Sequence, residues 1–295
     1  MTESPSNRLV VGCGYLGLRV ARSWQTSGYS THAVTRSAER ASLFEQEGLR
    51  PVILDLANPP DSFSLPPADV ILWAVGFDRS AGVSRESVWL DGLRWLTSHL
   101  TVAPSKFIYV SSTSVYGAGN GESVDEESPV NPETEGGQGC VQAETLLRKT
   151  LAAQFPITRL TVLRLAGIYG PDRLLRKVAD LRSGTPMPGD PDAWLNLIHV
   201  DDAVRTVNAV CQSADPPDIV NVVSRETVTR RQYYESLAQF VDAPPPTFGT
   251  SNRGLASRGG NKRVVSVRRS DLDVTFQFEN PIDGVKAAVE ATRDL

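Results

Sequence analysis

Three glycines near the N-terminus are spaced as Gly-x-Gly-x-x-Gly, a pattern that can hold the phosphates of a nucleotide. They follow a short apolar run and precede a helical stretch. The first glycine permits a tight turn, the second lets the backbone approach a pyrophosphate, and the third allows close packing of helix and strand. Free N–H groups and the helix dipole favour anions at the start of the helix. The predicted contacts with a dinucleotide are Gly12, Gly14, Tyr15, Leu16 and Gly17; the alternative is a glycine turn without a ligand.

An arginine and a serine follow the second predicted strand, where a dinucleotide-binding fold recognises the adenosine ribose. An acidic residue at this place usually bonds the 2′-hydroxyl of NAD. Arg36 and Ser37 stand there instead. A guanidinium pairs with a 2′-phosphate through two parallel hydrogen bonds, and a hydroxyl adds a donor. We therefore predict NADP as the cofactor, with NAD as the alternative if Arg36 is a solvated surface residue.

Two other groups of polar residues have structural explanations besides chemical ones. His199 titrates near neutral pH and could act as a general base. It stands just before a helix that Asp201 would cap, which favours a fixed hydrogen-bonding role. Residues 122–127 are rich in carboxylates but lack the His, Cys or calcium-loop glycine pattern of a metal site. We predict that this segment is a solvated acidic loop and that the chain holds no metal.

Short β-rich runs alternate with helical stretches through the first half of the chain. The predicted strands are residues 8–11, 30–34, 51–54, 69–75, 106–111 and 160–165. The predicted helices are residues 16–26, 39–47, 85–100 and 142–153. Residues 195–200 and 218–223 resemble late strands that return to the main sheet, with a helix over 201–212 between them. Such alternation is typical of α/β proteins with a doubly wound parallel sheet, the Rossmann type.

A smaller second lobe is predicted because the pattern loosens after residue 171, where loops rich in Pro and Gly appear. The dinucleotide-binding domain is expected to comprise residues 7–171 and 194–223. Residues 172–193 and 224–295 remain for a C-terminal substrate lobe. The two lobes would be interleaved in sequence rather than consecutive.

The composition indicates an ordinary globular protein. Of its 295 residues, 40% are hydrophobic and 22% are charged. A formal net charge of −4 gives no electrostatic reason to expect nucleic acid or an anionic membrane as partner. The first residues are polar, so no signal peptide is predicted, and no apolar run approaches the roughly 20 residues that span a bilayer. The three cysteines are too scattered for a disulfide framework or a zinc site, so we expect a cytoplasmic protein with reduced thiols. We expect it to be a monomer or a homodimer.

Four later segments resemble the extended short-chain dehydrogenase/reductase superfamily, the NAD-dependent epimerase/dehydratase group. Residues 106–117 resemble the strand that carries the family's active-site serine, and residues 126–132 the acidic, proline-bearing loop after it. Residues 162–171 and 196–202 are similar to the family's sixth strand and to a later strand and helix start. The resemblance covers nearly the whole chain, and the glycine spacing indicates an atypical branch.

This resemblance implies roles for further residues. The implied cofactor contacts are Asp55 and Leu56 beside the adenine, and Ala74, Val75 and Gly76 along the cofactor. Ser112 aligns with the catalytic serine, which polarises a carbonyl or hydroxyl of the substrate, and Thr113 is its neighbour. The implied partner is a small-molecule substrate, such as a nucleotide-sugar or another carbonyl or hydroxyl compound.

The chain departs from this family at the acid/base pair, a Tyr followed four residues later by a Lys. When Glu144 is aligned with the Glu of the same helix, Gly136 takes the Tyr position and Cys140 the Lys position. Tyrosine has a pKa near ~10, and the lysine normally lowers it for work at neutral pH. Tyr116, four residues after Ser112, is a candidate replacement; its alternative role is an aromatic wall of the substrate pocket.

Two functions are compatible with these features. The first is an NADP-dependent oxidoreductase or epimerase-like enzyme with an altered proton relay. The retained Ser112 and a complete substrate lobe favour this function. The second is a catalytically inactive NADP-binding sensor or regulatory protein. The missing Tyr and Lys favour this function. The candidate catalytic residues are Ser112, Thr113 and Tyr116. Cys140 is expected to be an inert buried thiol, because no His stands near it in sequence.

Overall fold

The computed structural model describes residues 6–77, 82–117, 119–249 and 260–292. Strands and helices alternate in these ranges, which confirms the predicted α/β class. Over the same ranges, every helix is too short or too polar to traverse a lipid bilayer.

The strands and helices lie close to the predicted runs through the first half of the chain. The strands are β1 (Asn7–Val11), β2 (Ser30–Thr35), β3 (Arg50–Ile53), β4 (Val70–Trp73), β5 (Lys106–Ser112), β6 (Asn120–Val124), β7 (Arg159–Leu165), β8 (Gly167–Tyr169), β9 (Trp194–Leu195), β10 (Leu197–His199), β11 (Ile219–Val222), β12 (Val228–Thr229) and β13 (Asn261–Val264). The helices are α1 (Gly17–Thr26), α2 (Ala38–Gln46), α3 (Gly92–Ser98), α4 (Glu135–Gln154), α5 (Leu175–Arg182), α6 (Val200–Gln212), α7 (Arg230–Phe240) and α8 (Pro281–Ala291). A π-helical turn, Ser87–Asp91, leads into α3.

Seven strands form the central parallel sheet, in the order β11-β7-β5-β4-β1-β2-β3. β1 pairs in parallel with both β2 and β4. β4 is buried along its whole length and β1 at every residue after Asn7, as expected when helices cover both faces of a parallel sheet. The chain order reverses at β1. Doubly wound folds bind ligands at such a switch point, outside the carboxyl ends of the strands.

The chain divides into two compact units, each assembled from separate segments. The first unit contains Met1–Ser111, Gln138–Leu163 and Val207–Ile219, and the second contains Ser112–Gly137, Arg164–Thr206 and Val220–Leu295. The first unit has a core of buried residues that includes Leu9, Ile71, Trp73, Phe107 and Leu147. The second unit has its own core, which includes Tyr169, Met187, Tyr233, Leu237 and Val285.

One late strand lies elsewhere than the sequence predicts. Residues 218–223 contribute β11 to the main sheet, as expected. Residues 195–200 do not join it: they supply β9 and β10, which pair with β12 and β8 in two-stranded sheets. Asn196 divides the run, because its amide donates to the carbonyl of Lys262 at 2.8 Å and accepts from the N–H of Val264 at 2.8 Å. An apolar run indicates burial but does not specify which sheet a strand enters.

α4 begins seven residues before the predicted start at residue 142. Its first turns contain Gly136, Gly137 and Gly139, and glycine disfavours a helix interior by about 1 kcal/mol relative to alanine. A tertiary contact explains one of them. A Cβ on Gly137 would collide with the carbonyl oxygen of Ser114, so close approach of the chain requires glycine there.

Candidate functional site

A cavity of about 170 Å³ opens in the first unit at the carboxyl ends of the parallel strands. It brings together eight of the twelve predicted cofactor contacts: Gly12, Gly14, Arg36, Asp55, Leu56, Ala74, Val75 and Gly76. Cys13, Arg40, Val83 and Val88 also line it. The other four predicted contacts, Tyr15, Leu16, Gly17 and Ser37, are described but do not line the cavity.

The glycine turn owes its shape to two positions where a side chain would not fit. Gly12 has a φ of +96°, and a Cβ there would lie 2.6 Å from the backbone of Ala74. A Cβ on Gly17 would collide with the carbonyl oxygen of Gly12. At Gly14, by contrast, no described atom lies within 4 Å of the place a Cβ would take. The space in front of Gly14 therefore belongs to the cavity and can admit a pyrophosphate.

The side chains of two of the predicted turn residues make contacts elsewhere than in the cavity. Leu16 is buried in the core, with an exposed fraction of 6%. The guanidinium carbon of Arg19 lies over the ring of Tyr15, 4.1 Å from the ring centre. Leu16 is the N-cap of α1 and Tyr15 precedes it, so their backbone N–H groups lie at the start of the helix, where donors are unsatisfied and can bind an anion.

A second arginine, which sequence reasoning missed, lines the cavity together with Arg36. Arg40 lies in the first turn of α2, and its guanidinium donates to the carbonyl of Cys13 at 2.5 Å. Ser37 is the N-cap of α2, where its hydroxyl accepts the N–H of Arg40 at 3.2 Å. The exposed Arg36 precedes this cap. The place of Arg40 in the first turn of the helix that follows β2 was the signal that could have revealed it.

Two cysteines of the first unit, Cys13 and Cys140, are poor nucleophiles. Cys13 and Cys140 are both buried. Burial raises the pKa of the Cys13 thiol to about 12 and that of the Cys140 thiol to about 11. Because the thiolate is the nucleophile, neither group is ionised to a useful extent at neutral pH.

Ser112 and Thr113 lie where β5 ends, at the start of the second unit. Residues Thr113–Val115 form a single 3-10 turn that Ser112 caps, with its hydroxyl accepting the N–H of Ser114 at 3.1 Å. Ser112 is half-buried and Thr113 is buried. The cap uses Ser112 as an acceptor, so its hydroxyl proton can still be donated to a carbonyl or alkoxide oxygen.

Tyr116 is held in a buried hydrogen-bond network of the second unit. Its side chain is 2% exposed. The hydroxyl donates to Oδ1 of Asn221 at 2.9 Å and accepts from Nη1 of Arg164 at 3.0 Å. Burial raises the pKa of this hydroxyl, more than the charge of Arg164 lowers it. These contacts favour a structural role for Tyr116 over that of a proton donor.

The prediction of a solvated acidic loop was wrong in two respects, because residues 122–124 belong to β6 and one of the carboxylates is not solvated. Glu126 is buried, with an exposed fraction of 9%. One carboxylate oxygen accepts the N–H of Asn221 at 2.8 Å and the hydroxyl of Ser266 at 2.5 Å, and the other accepts the N–H of Val267 at 2.9 Å. The partners stand 95 or more positions away in sequence, which is why a local pattern of carboxylates could not reveal them.

His199 and the start of α6 form another structural cluster. His199 is buried, its Nδ1 accepts the N–H of Asp201 at 3.2 Å, and its ring lies 4.3 Å from that of Phe278. α6 begins at Val200, so Asp201 lies inside the first turn and is not the cap we predicted. The neighbouring Asp202 is fully buried.

The chain is similar to a known protein family and to a curated bacterial protein. A model of the NAD dependent epimerase/dehydratase family matches residues 8–222. Protein YeeZ from Escherichia coli strain K12 is 28% identical over 278 residues, which cover 92% of this chain and 95% of YeeZ.

Solved structures show the same fold. A functionally unknown conserved protein from Silicibacter pomeroyi has a TM-score of 0.77 at 25% identity, over 97% of this chain and 99% of its own. A protein from Methylobacillus flagellatus, put forward as an NAD-dependent epimerase/dehydratase, has a TM-score of 0.74 at 26% identity, over 98% and 99%. UDP-glucose 4-epimerase from Thermotoga maritima has a TM-score of 0.74 at 17% identity, over 96% and 97%, and shows the fold alone. Because the family model matches well over half of the chain, the chain belongs to the NAD-dependent epimerase/dehydratase family.

Proposed function

We propose that this protein binds NADP in the cavity of its first unit and acts on a small molecule as an oxidoreductase or epimerase-like enzyme with an altered proton relay. The observation that carries the proposal is the composition of the cavity wall. It combines the glycine turn, the residues after β3 and β4, and two arginines, Arg36 and Arg40. NADP carries one more phosphate than NAD, and paired arginines are the groups that bind such a phosphate.

The residues of the cavity fit a nicotinamide dinucleotide. The space in front of Gly14 admits the pyrophosphate, and Leu54 and Leu56 offer apolar surface for an adenine beside Asp55. Arg36 and Arg40 would bind the 2′-phosphate as charge-assisted donors. When bound, the cofactor would accept a hydride from a substrate carbon in its oxidised form or return one in its reduced form, which is the chemistry of oxidoreductases and epimerases of this family.

Cofactor preference is the first test. We expect NADP to bind more tightly than NAD, and Arg36→Ala to reduce that preference by about 1.5–3 kcal/mol, the range for a hydrogen bond to a charged group. Isothermal titration calorimetry of both cofactors gives the two dissociation constants. Arg22→Ala is the matched control, because Arg22 is an exposed arginine of the same unit that pairs with Glu47 instead. Equal affinities for NAD and NADP in the unaltered protein would remove the claim.

The altered relay is proposed because the chain has Gly136 and Cys140 at the positions of the family's Tyr and Lys. A positioned acid or base typically contributes about 10²–10⁴ in rate. Ser112 remains able to donate a proton to the substrate oxygen, whereas the hydroxyl of Tyr116 is bonded to Arg164 and Asn221. We therefore expect turnover of the usual dehydrogenase type to be slow or absent.

The second candidate function, an inactive NADP-binding sensor or regulatory protein, is favoured by the same missing pair. A screen for NADPH oxidation and NADP reduction with panels of carbonyl compounds and nucleotide-sugars separates the two. An enzyme should show turnover that falls by about 10² or more in Ser112→Ala, while Tyr116→Phe should mainly lower the thermal midpoint. Binding without turnover on every panel would favour the sensor, and turnover that survives Ser112→Ala would show that the active site lies elsewhere.

Nucleotide-sugars belong in the panel because of the fold neighbours. One solved structure is UDP-glucuronic acid 4-epimerase from Bacillus cereus in complex with NAD. Another is MoeE5 in complex with UDP-glucose and NAD. Both share the fold at identities of 17% and 21%. We propose a small-molecule substrate of this kind, or another carbonyl or hydroxyl compound.

A further inference from the structure

The guanidinium of Arg40 joins the start of α2 to the glycine turn. One of its nitrogens, Nη2, donates to the carbonyl oxygen of Cys13 at 2.5 Å, across 27 positions of sequence. Both residues line the cavity and belong to the first unit. A hydrogen bond from a charged donor is stronger than one between neutral groups. Arg40 therefore ties the turn to a helix that lies outside it in sequence.

Two further contacts hold Arg40 in place on α2. Ser37 caps the helix, and its hydroxyl accepts the N–H of Arg40 at 3.2 Å. Phe44, one turn later, is buried, and the guanidinium carbon of Arg40 lies 5.3 Å from the centre of its ring. A guanidinium over an aromatic face gains a cation–π attraction. The bond to Cys13 is thus made by a side chain that its own helix positions.

This bond acts on the peptide group that leads into Gly14. The carbonyl of Cys13 and the N–H of Gly14 belong to one planar group, in which they point in opposite directions. The N–H of Gly14 donates to the carbonyl of Gly12 at 2.9 Å, and the carbonyl of Cys13 accepts from Arg40. The peptide plane is therefore held at both ends, from inside the turn and from α2.

A turn built from glycines needs such a restraint. Glycine adopts positive and negative φ about equally readily, so it loses more conformational freedom on ordering than other residues. Gly12 has a φ of +96°, and Gly14 faces the open space that can admit the pyrophosphate. Ordering the backbone of one residue reduces an equilibrium constant by about 5- to 30-fold. A ligand that had to order the turn itself would bind more weakly by that factor.

The charge of Arg40 also suits the turn to an anion. A carbonyl oxygen has a partial negative charge and repels a nearby phosphate, and a cation bonded to that oxygen offsets the repulsion. This charge also acts on the Cys13 thiol, where burial raises the pKa to about 12 and the positive charge of Arg40 opposes that rise. Arg40 therefore affects both the geometry and the electrostatic potential of the turn.

We propose that Arg40 is a positioning residue for the dinucleotide as a whole: by binding the carbonyl of Cys13, it holds the glycine turn in the form that receives the pyrophosphate. This inference rests on the proposed function, because it requires a dinucleotide in the cavity. It gives the two arginines different roles. Arg36 distinguishes NADP from NAD, whereas Arg40 contributes to the affinity for both.

The test is the affinity for NAD, which has the pyrophosphate but lacks the 2′-phosphate. Arg40→Met keeps an unbranched side chain on α2 and removes the charge and the donors. Its affinity for NAD should fall about 5- to 30-fold, and its affinity for NADP should fall by at least as much. Competition with NADPH, followed by the fluorescence of the bound nicotinamide, gives the dissociation constants of both cofactors even where binding is weak.

Three variants make the result specific. Arg36→Met should weaken NADP but leave the affinity for NAD within twofold, because NAD lacks the phosphate that Arg36 binds. Arg22→Met should weaken neither cofactor, since Arg22 is an exposed arginine of the same unit that pairs with Glu47. Arg40→Lys keeps the charge and an N–H donor for the carbonyl of Cys13, so it should recover part of the affinity for NAD.

Each outcome decides between the two claims. If Arg40→Met weakens NADP but leaves NAD within twofold, Arg40 serves the 2′-phosphate alone; the positioning role is then wrong and the proposed cofactor site stands. A lower thermal midpoint with unchanged affinity for both cofactors would mean that Arg40 only stabilises the fold. An Arg40→Lys variant as weak toward NAD as Arg40→Met would also overturn the role of the bond to Cys13. If the unaltered protein binds neither cofactor, the proposed function fails and this inference fails with it.

Discussion

Gly14→Val is expected to abolish cofactor binding while leaving the fold intact. The space in front of Gly14 is open, so the Cβ of a valine there would meet no atom of the described residues beyond its chain neighbours within 4 Å, but the side chain would fill the place where the pyrophosphate approaches the backbone. Loss of two charge-assisted hydrogen bonds to the pyrophosphate would weaken NADPH about 100-fold or more. Calorimetry measures the affinity, and circular dichroism with a thermal melt confirms that the fold survives.

Gly17→Ala is the informative counterpart of this variant. A Cβ on Gly17 would collide with the carbonyl oxygen of Gly12, so the smaller substitution should damage the fold itself and lower the thermal midpoint. Normal binding by Gly14→Val would mean that the glycine turn does not hold the cofactor, and the cavity would lose its assignment. The two variants together separate a glycine kept for the ligand from a glycine kept for packing.

Asp202→Asn is expected to destabilise the protein strongly. Asp202 is fully buried, and its carboxylate accepts the N–H of Gln277 at 2.7 Å, the N–H of Phe278 at 3.0 Å and Nη1 of Arg205 at 2.8 Å. An amide of the same shape loses the negative charge and turns an N–H donor toward one of these donors. Breaking a buried, charged network in this way costs about 3–5 kcal/mol. Urea unfolding followed by circular dichroism gives the change in the free energy of unfolding.

The adjacent residue provides the control for this prediction. Asp201 lies in the same helical turn, but its side chain is 52% exposed, so Asp201→Asn should change the free energy of unfolding by less than about 1 kcal/mol. A similar small change for Asp202→Asn would show that the buried carboxylate does not tie the segment at residues 277–278 to the start of α6.

The sequence alone determined the seven strands of the central sheet and most of the residues that line the candidate cavity. The glycine turn is readable because only glycine fits the positive φ of Gly12 and the close packing at Gly17. The residues after β2, β3 and β4 are readable as well, because the carboxyl ends of parallel strands meet at one edge of the sheet. These requirements act within one turn or one strand, so they leave a local pattern of residue types.

In the second unit, contacts between segments that are distant in sequence decide how strands pair and which partners the polar side chains have. Residues 195–200 were equally compatible with the main sheet and with separate small sheets, since both would bury an apolar run. Glu126 looked like part of a solvated loop, yet it binds the backbone at Asn221 and Val267. Tyr116 looked like a candidate acid, yet its hydroxyl is bonded to Arg164 and Asn221.

The arginines show the same division at the candidate site. Arg36 could be predicted because it directly follows β2, where the strand itself delivers it to the cavity. Arg40 is brought to the cavity by the first turn of α2 and is oriented by the hydrogen bond that its guanidinium donates to the carbonyl of Cys13. A side chain that follows a strand has its position set by the backbone. One that is oriented by packing depends on neighbours that are adjacent only after the chain has folded.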